Sequence, residues 1–174
     1  LSVLAGMGLV WFLLPQVAIG LFIIVSCYHF GQTQLQYLPA SENNWKKKFI
    51  YFIWGATVLA FIILMNPKET LELLAPFQVN YLAERMIEWR ILIISISVLA
   101  FLFAFLSLKK NANLPRTSLI FELIELIVLF WLALRGNLLL SFAVFFSLWH
   151  SLRAVQVQMN KLSQERKITT MSFI

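Results

Sequence analysis

The chain has 174 residues, of which 60% are hydrophobic and 13% charged, and its formal net charge is +6. Soluble domains are about half apolar and about a quarter charged, so this composition excludes an ordinary soluble domain. It predicts an all-α, polytopic transmembrane helical bundle. The single cysteine, Cys27, excludes an intrachain disulfide framework and a cysteine-based zinc cluster. No basic-aromatic pattern of a nucleic-acid binder is present, so we attribute the positive charge to membrane topology and predict no nucleic-acid partner.

The apolar segments predict about five full membrane spans, because about 20 apolar residues cross a bilayer as a helix. Leu1–Leu14 is shorter and is predicted to be the stub of a helix truncated at its N-terminus, with Pro15 opening or kinking the next helix. Residues 67–77 combine leucines with lysine and glutamates, which is typical of a short interfacial helix. We predict one bundle over residues 1–160 and a polar, basic tail over 161–174. The predicted spans are 16–36, 45–65, 84–108, 117–135 and 138–158.

Basic residues are divided unequally between the two ends of these spans. Ten lysines and arginines fall on one side, nine of them in residues 37–48, 109–116 and the C-terminal tail and the tenth, Arg153, near the end of the last span; four fall on the other side. The positive-inside rule makes the first side cytoplasmic. We therefore expect a multi-pass protein of the cell membrane whose two basic loops and tail face the cytoplasm.

Ionisable side chains within the predicted spans indicate a functional site. His29, Glu125 and His150 lie seven or eight residues from the cytoplasmic ends of three different spans. At about 1.5 Å per residue, all three lie roughly 10–12 Å inside the cytoplasmic boundary. Ionisable groups at this depth are costly and normally face a partner or a water-filled cavity. Because neutral imidazole suits iron, copper or zinc, we predict His29 and His150 as metal ligands, with Glu125 as a ligand or an outer acceptor.

An alternative is that each histidine hydrogen-bonds a neighbour and only packs. Ser26 and Ser147 each lie three residues before a histidine and would supply such a partner. Glu122 and Glu125, which share the predicted span 117–135, would then be protonated or paired with an arginine. A matched histidine pair with a glutamate in one layer favours the metal site. Gly31 is predicted to let another helix or a ligand approach closely, or to be an ordinary small residue at a helix contact.

Two short motifs resemble the Brp/Blh family of membrane β-carotene 15,15′-dioxygenases. That family's pattern has a helix ending in HFGxxD and a later helix carrying FxxWHSxRH; here the segments are HFGQTQ (29–34) and FSLWHSLRA (146–154). The resemblance implies a multi-span bundle in the lipid bilayer that holds Fe(II) through histidines. It also implies cleavage of the central double bond of β-carotene by O2 into two retinals, and a functional link to a retinal-binding rhodopsin.

The chain departs from that pattern at two positions. Gln34 stands where the family has Asp, so an outer carboxylate becomes an amide, and Ala154 stands where the family has its last histidine. A further family histidine belongs to a motif upstream of Leu1, and we expect it in a preceding segment. His29 and His150 are the matched ligands; candidates for other ligand or outer positions are Glu125, Glu122, Gln34, Ser26 and Ser147.

Three functions remain open from the sequence. The first is the carotenoid-cleaving iron enzyme. The second is a catalytically inactive membrane protein that binds carotenoid or retinal. The third is a b-type membrane cytochrome in which His29 and His150 are paired axial haem ligands. The equal depth of the two histidines suits the first and the third alike.

Overall fold

The computed structural model describes residues 8, 10–38, 44–112, 116–156, 158–159 and 162–163. Over these residues the regular structure is entirely helical, which confirms the predicted all-α bundle. The helices are α1 (Pro15–Gln34), α2 (Asn44–Leu64), α3 (Pro67–Leu74), α4 (Asn80–Glu88), α5 (Arg90–Ala112), α6 (Arg116–Arg135) and α7 (Leu138–Val144). A 3-10 helix (Ala75–Phe77) follows α3, and a π-helix (Phe145–His150) continues α7. Residues 151–156 continue this element as α-helix, and we call the whole of it, from residue 138 to residue 156, the last helix.

Four helices in the described part of the chain are long and apolar enough to cross a membrane, and they are compatible with a membrane location. They are Pro15–Gln34, Trp45–Leu64, Arg90–Ser107 and Leu138–Gln156. The predicted span 117–135 is helical as the 20-residue α6, so a total of five spans stays a prediction. Most of the predicted stub (1–14) and of the tail (161–174) lies outside the described residues.

The predicted third span begins later than expected. The chain breaks at Trp89, so α4 is a separate helix and α5 starts at Arg90. On α4, Ala83 is buried against the protein, while Leu82 and Met86 form an exposed apolar stripe beside charged residues. Such an amphipathic helix suits the membrane interface better than its interior, which explains the break before α5, whose middle part is apolar.

Helix α2 lies at the centre of the bundle and packs against α1, α5 and α6. Trp54, Val58 and Ile62 are fully buried and recur every four residues along one stripe of α2. In contrast, α5 directs large apolar side chains such as Leu99 and Phe103 outward. The core therefore lies around α2, and the exposed apolar surface of the outer helices is compatible with a membrane-facing side.

Helices α1 and α2 approach each other at two glycines. A Cβ atom on Gly31 would lie 1.8 Å from the backbone oxygen of Tyr51, and one on Gly55 would lie 1.9 Å from the backbone oxygen of Cys27. Only glycine permits this backbone contact, which is common between membrane helices. The predicted close approach at Gly31 is therefore confirmed, and it fixes His29, two residues earlier, relative to α2.

Three hydrogen bonds lie at the start of the last helix, at the end of the bundle away from His150. The Leu138 amide donates to Glu69 Oε2 of α3 at 2.6 Å, and the Leu140 amide donates to Asn137 Oδ1 at 2.7 Å. The Asn66 side chain donates to the Ala133 carbonyl of α6 at 3.4 Å. The first two bonds satisfy backbone amides that a helix leaves unpaired at its first turn. Together, the three bonds fix the position at which the last helix begins.

Candidate metal centre and adjoining cavity

The two predicted metal ligands lie next to each other. His29 of α1 and His150 at the end of the π-helix have ring centroids 5.2 Å apart and ring planes at 66°. His29 is exposed at the side of the bundle, and His150 is half-buried. The fold therefore brings the imidazoles of two distant helices together at the bundle surface.

A π-helical turn positions His150. The amide and the hydroxyl of Ser151 both donate to the Phe146 carbonyl, five residues earlier, and the hydroxyl bond is 2.7 Å long. π-Helical turns are rare and occur often at functional sites, because the wider turn changes the direction of the side chains that follow. The sequence analysis missed this feature, and the segment FFSLWH contains neither proline nor glycine to signal it.

Aromatic rings surround His150. The Phe30, Phe146 and Phe145 rings lie 4.9, 5.3 and 6.4 Å from the imidazole, centroid to centroid. Behind them, the Trp54 ring lies 6.4 Å from Phe145. Within the described ranges, the Trp54 indole nitrogen is the one buried side-chain nitrogen or oxygen that lacks a hydrogen-bond partner. The histidine pair thus has an apolar, aromatic wall on its inner side.

The predicted outer carboxylates form a second cluster around Gln34. The Gln34 amide nitrogen donates to Glu125 Oε2 and, at 3.5 Å, to Glu122 Oε2. The Tyr37 hydroxyl donates to Glu122 Oε1 at 3.2 Å. Gln34 and Glu122 are only 4% and 1% exposed. The cluster lies beyond the histidines along α1, since Gln34 follows His29 by five residues.

Tyr37, which the sequence analysis did not select, is a hydrogen-bond donor of this cluster. It follows the end of α1 and lies outside the membrane-spanning segment. Burial, and then the neighbouring carboxyl of Glu122, raise the pKa of Tyr37 above its usual range. The hydroxyl therefore keeps its proton at neutral pH and remains available to donate.

The Gln34 cluster lines a cavity of about 520 Å³ between α1, α6 and the last helix. Its polar wall consists of Gln34, Tyr37, Glu122, Glu125, Arg153 and Gln156. Its apolar rim consists of Phe121, Leu148 and Leu152, all three strongly exposed. Trp149 also lines the cavity and directly precedes His150 in the sequence, while neither histidine is among the lining residues.

The comparison with known proteins assigns the family. Residues 1–174 match the family described as beta-carotene 15,15'-dioxygenase. The chain belongs to that family. Neither the curated proteins nor the solved structures gave a match. Membership in the beta-carotene 15,15'-dioxygenase family supports a carotenoid dioxygenase function with a carotenoid substrate, and it agrees with the resemblance carried by the two histidine motifs.

The histidine pair fits part of the ligand set of the iron that we expect in this dioxygenase family. Imidazole nitrogens are common ligands of non-haem iron. The ring centroids of His29 and His150 lie 5.2 Å apart, close enough for both rings to reach one ion. Among the residues that the structure describes, no group of three His, Cys, Asp or Glu side chains is placed to hold a metal. The pair would therefore offer two nitrogen ligands, and Ala154 would offer none.

The other predicted residues lie apart from the histidine rings. Glu125, predicted at the same depth, bonds to Gln34. The Ser147 hydroxyl donates to the Ala143 carbonyl at 2.7 Å, and Ser26 is buried in α1. In the described ranges no hydrogen bond joins either serine to a histidine ring. The alternative in which these serines satisfy the histidines therefore gains no support from the described hydrogen bonds.

Proposed function

We propose that this protein cleaves the central 15,15′ double bond of β-carotene with O2 at a non-haem Fe(II) held by His29 and His150. Each carbon of the broken double bond receives one oxygen atom, so the two products are aldehydes, both retinal. Family membership supports the carotenoid and the class of reaction. The observation that carries the site assignment is the meeting of the two histidines, 5.2 Å apart, against an aromatic wall.

The chain's own residues would bind and orient the substrate. His29 and His150 would hold the iron, which when bound supplies the activation of O2. β-Carotene is wholly apolar and partitions into the bilayer, and His29 is exposed at the side of the bundle where such a substrate arrives. The Phe30 and Phe146 rings beside His150 would align the polyene and exclude water.

The geometry favours a non-haem ion over a haem. A haem held by both imidazoles would have to fit its porphyrin between the two rings. The ring centroids of His29 and His150 lie 5.2 Å apart, which is close for such a group. Both rings could instead hold a single small ion.

An inactive carotenoid- or retinal-binding protein is the second candidate. Ala154, at the place of the last family histidine, favours it, because the described residues then offer two histidines and no third ligand. Such a protein would keep the aromatic wall and the cavity but would hold no iron. Metal content therefore separates the two candidates.

Iron binding tests the proposed site directly. The protein would be purified in detergent, loaded anaerobically with Fe(II), desalted and analysed for metal by mass spectrometry. We expect wild type to keep stoichiometric iron, His29→Ala and His150→Ala each to lose it, and Gln32→Ala, at an exposed position of α1, to keep it. If both histidine variants kept as much iron as Gln32→Ala, the assignment would be wrong.

A further inference from the structure

We infer that the cavity beside the histidine pair binds the carbonyl end of an apolar polyene, the aldehyde that central cleavage creates on each product. The identity of this ligand rests on the proposed function. Its chemical class rests on the side chains that line the cavity.

The cavity lies within reach of a product released at the histidines. Trp149 lines it and precedes His150 directly, and Gln34 lines it five residues after His29. At about 1.5 Å per helical residue, this offset along α1 is on the order of 7 Å. An aldehyde leaving the histidine pair would therefore move by less than the length of its own polyene chain.

The apolar rim suits the hydrocarbon chain of such a molecule, and the polar wall suits its carbonyl end. Among the exposed lining residues, Phe121, Leu148 and Leu152 are apolar, while Tyr37 and Gln156 are polar. An apolar chain could therefore leave the cavity along its apolar side. A volume of about 520 Å³ is in the range of small-molecule sites and holds a polar end with part of its chain. The rest of an apolar tail would remain in the bilayer.

Arg153 is the donor that remains for a ligand. The Gln34 amide and the Tyr37 hydroxyl already donate to the two glutamates. A guanidinium has five N–H donors, and among the described contacts that of Arg153 makes one hydrogen bond, of 3.5 Å, to Gln156. Its unused N–H groups in a cavity wall match a carbonyl oxygen, which accepts hydrogen bonds and cannot donate.

The cavity wall favours a neutral ligand over an anionic one. Glu122 and Glu125 line the same cavity as Arg153, and their oxygens are acceptors for Gln34 and Tyr37. A ligand carboxylate would bring further acceptor oxygens and a charge to be desolvated beside these carboxyl groups, whereas a neutral carbonyl brings one acceptor oxygen and no charge. A hydrocarbon end would leave the guanidinium donors unused in a partly desolvated wall. A neutral aldehyde is therefore the favoured occupant.

Retinal binding to iron-free protein tests this inference. Purified protein in detergent with a chelator would be titrated in the dark with all-trans-retinal, and binding followed by quenching of tryptophan fluorescence. We expect wild type to bind retinal more tightly than retinoate or the hydrocarbon that lacks only the oxygen. Arg153→Met should weaken retinal binding roughly tenfold or more, since a charged donor is lost. Arg153→Lys should retain most of it, and Arg85→Met, on the exposed face of α4, should bind as wild type does.

Two results would overturn the inference: Arg153→Met binding retinal as tightly as Arg85→Met, or wild type binding the hydrocarbon or retinoate at least as tightly as retinal. The ligand comparison needs only wild-type protein, so it decides the matter even if Arg153→Met does not fold. Because iron is absent, the two proposals fail separately. Retinal binding without iron binding or cleavage would refute the proposed function alone, and cleavage without Arg153-dependent retinal binding would refute this inference alone.

Discussion

Replacing either glycine at the crossing of α1 and α2 by alanine should separate the two helices. At Gly31 the added Cβ would lie 1.8 Å from the Tyr51 oxygen, and this contact must lengthen by 1.2 Å to reach 3.0 Å, the lower limit for real Cβ contacts. At Gly55 the clash is with the Cys27 oxygen at 1.9 Å. All the clashing atoms belong to the backbone, so rotating a side chain cannot relieve the contact.

The size of the effect follows from the interface that would open. α1 and α2 form the most extensive helix pair of the described bundle. A gap of about 0.5–1 Å removes a quarter to a half of each dispersion contact. Overpacking of a tight interior typically costs about 1–3 kcal/mol, and a backbone clash belongs at the upper end of this range. We therefore expect Gly31→Ala and Gly55→Ala each to lower the free energy of unfolding by about 2–3 kcal/mol.

Thermal unfolding in detergent, with iron content measured in parallel, checks this prediction. Gly20→Ala is the matched control on α1, because a Cβ there meets nothing within 4 Å. It should unfold at or above the wild-type temperature, since alanine favours a helix over glycine by about 1 kcal/mol. Gly31→Ala should also bind less iron, because His29 moves with α1. If the three variants unfolded together, the close approach of the helices would be refuted.

Two further substitutions test the polar contacts that position the last helix and the cavity. Glu69→Ala removes the acceptor for the first amide of α7 and should cost about 1–2 kcal/mol of unfolding free energy, while the exposed Glu72→Ala should cost almost nothing; equal melting temperatures would contradict this role. Gln34→Leu leaves two neighbouring carboxyl groups without their shared amide donor and should cost about 1–3 kcal/mol, whereas Gln32→Leu on the exposed side should be neutral. If denaturant titration gave equal unfolding midpoints for Gln34→Leu and Gln32→Leu, the Gln34 amide would not be needed for stability.

The position of most helices along the chain was predictable from the sequence. Apolar runs of spanning length, with Pro15 and Pro67 at the first turns of α1 and α3, mark where these helices form. The separation of α4 from α5 was not predicted, because the apolar stripe of an interfacial helix adjoins the apolar start of the next span. Only the break at Trp89 distinguishes the two.

The histidine pair was predictable for a physical reason that did not extend to the glutamate. The fixed rise of a helix converts a residue count into a depth, so His29 and His150 were predicted at one level, and their ring centroids lie 5.2 Å apart. Depth does not determine the direction in which a side chain points. Glu125 counts to a similar depth, yet it bonds to Gln34 farther along α1. The π-helical turn that directs His150 also lacks a sequence signal, so the aromatic surroundings required the structure.

The most direct test of the central claim is the product formed in cells. The protein would be expressed in a bacterium that accumulates β-carotene, supplied with isotopically labelled O2, and the extract analysed by chromatography and mass spectrometry. We predict labelled retinal, two molecules for each β-carotene consumed, with His29→Ala and His150→Ala forming none at equal expression. Unchanged β-carotene beside well-expressed wild-type protein, or aldehydes of other chain lengths, would contradict central cleavage at the histidine pair.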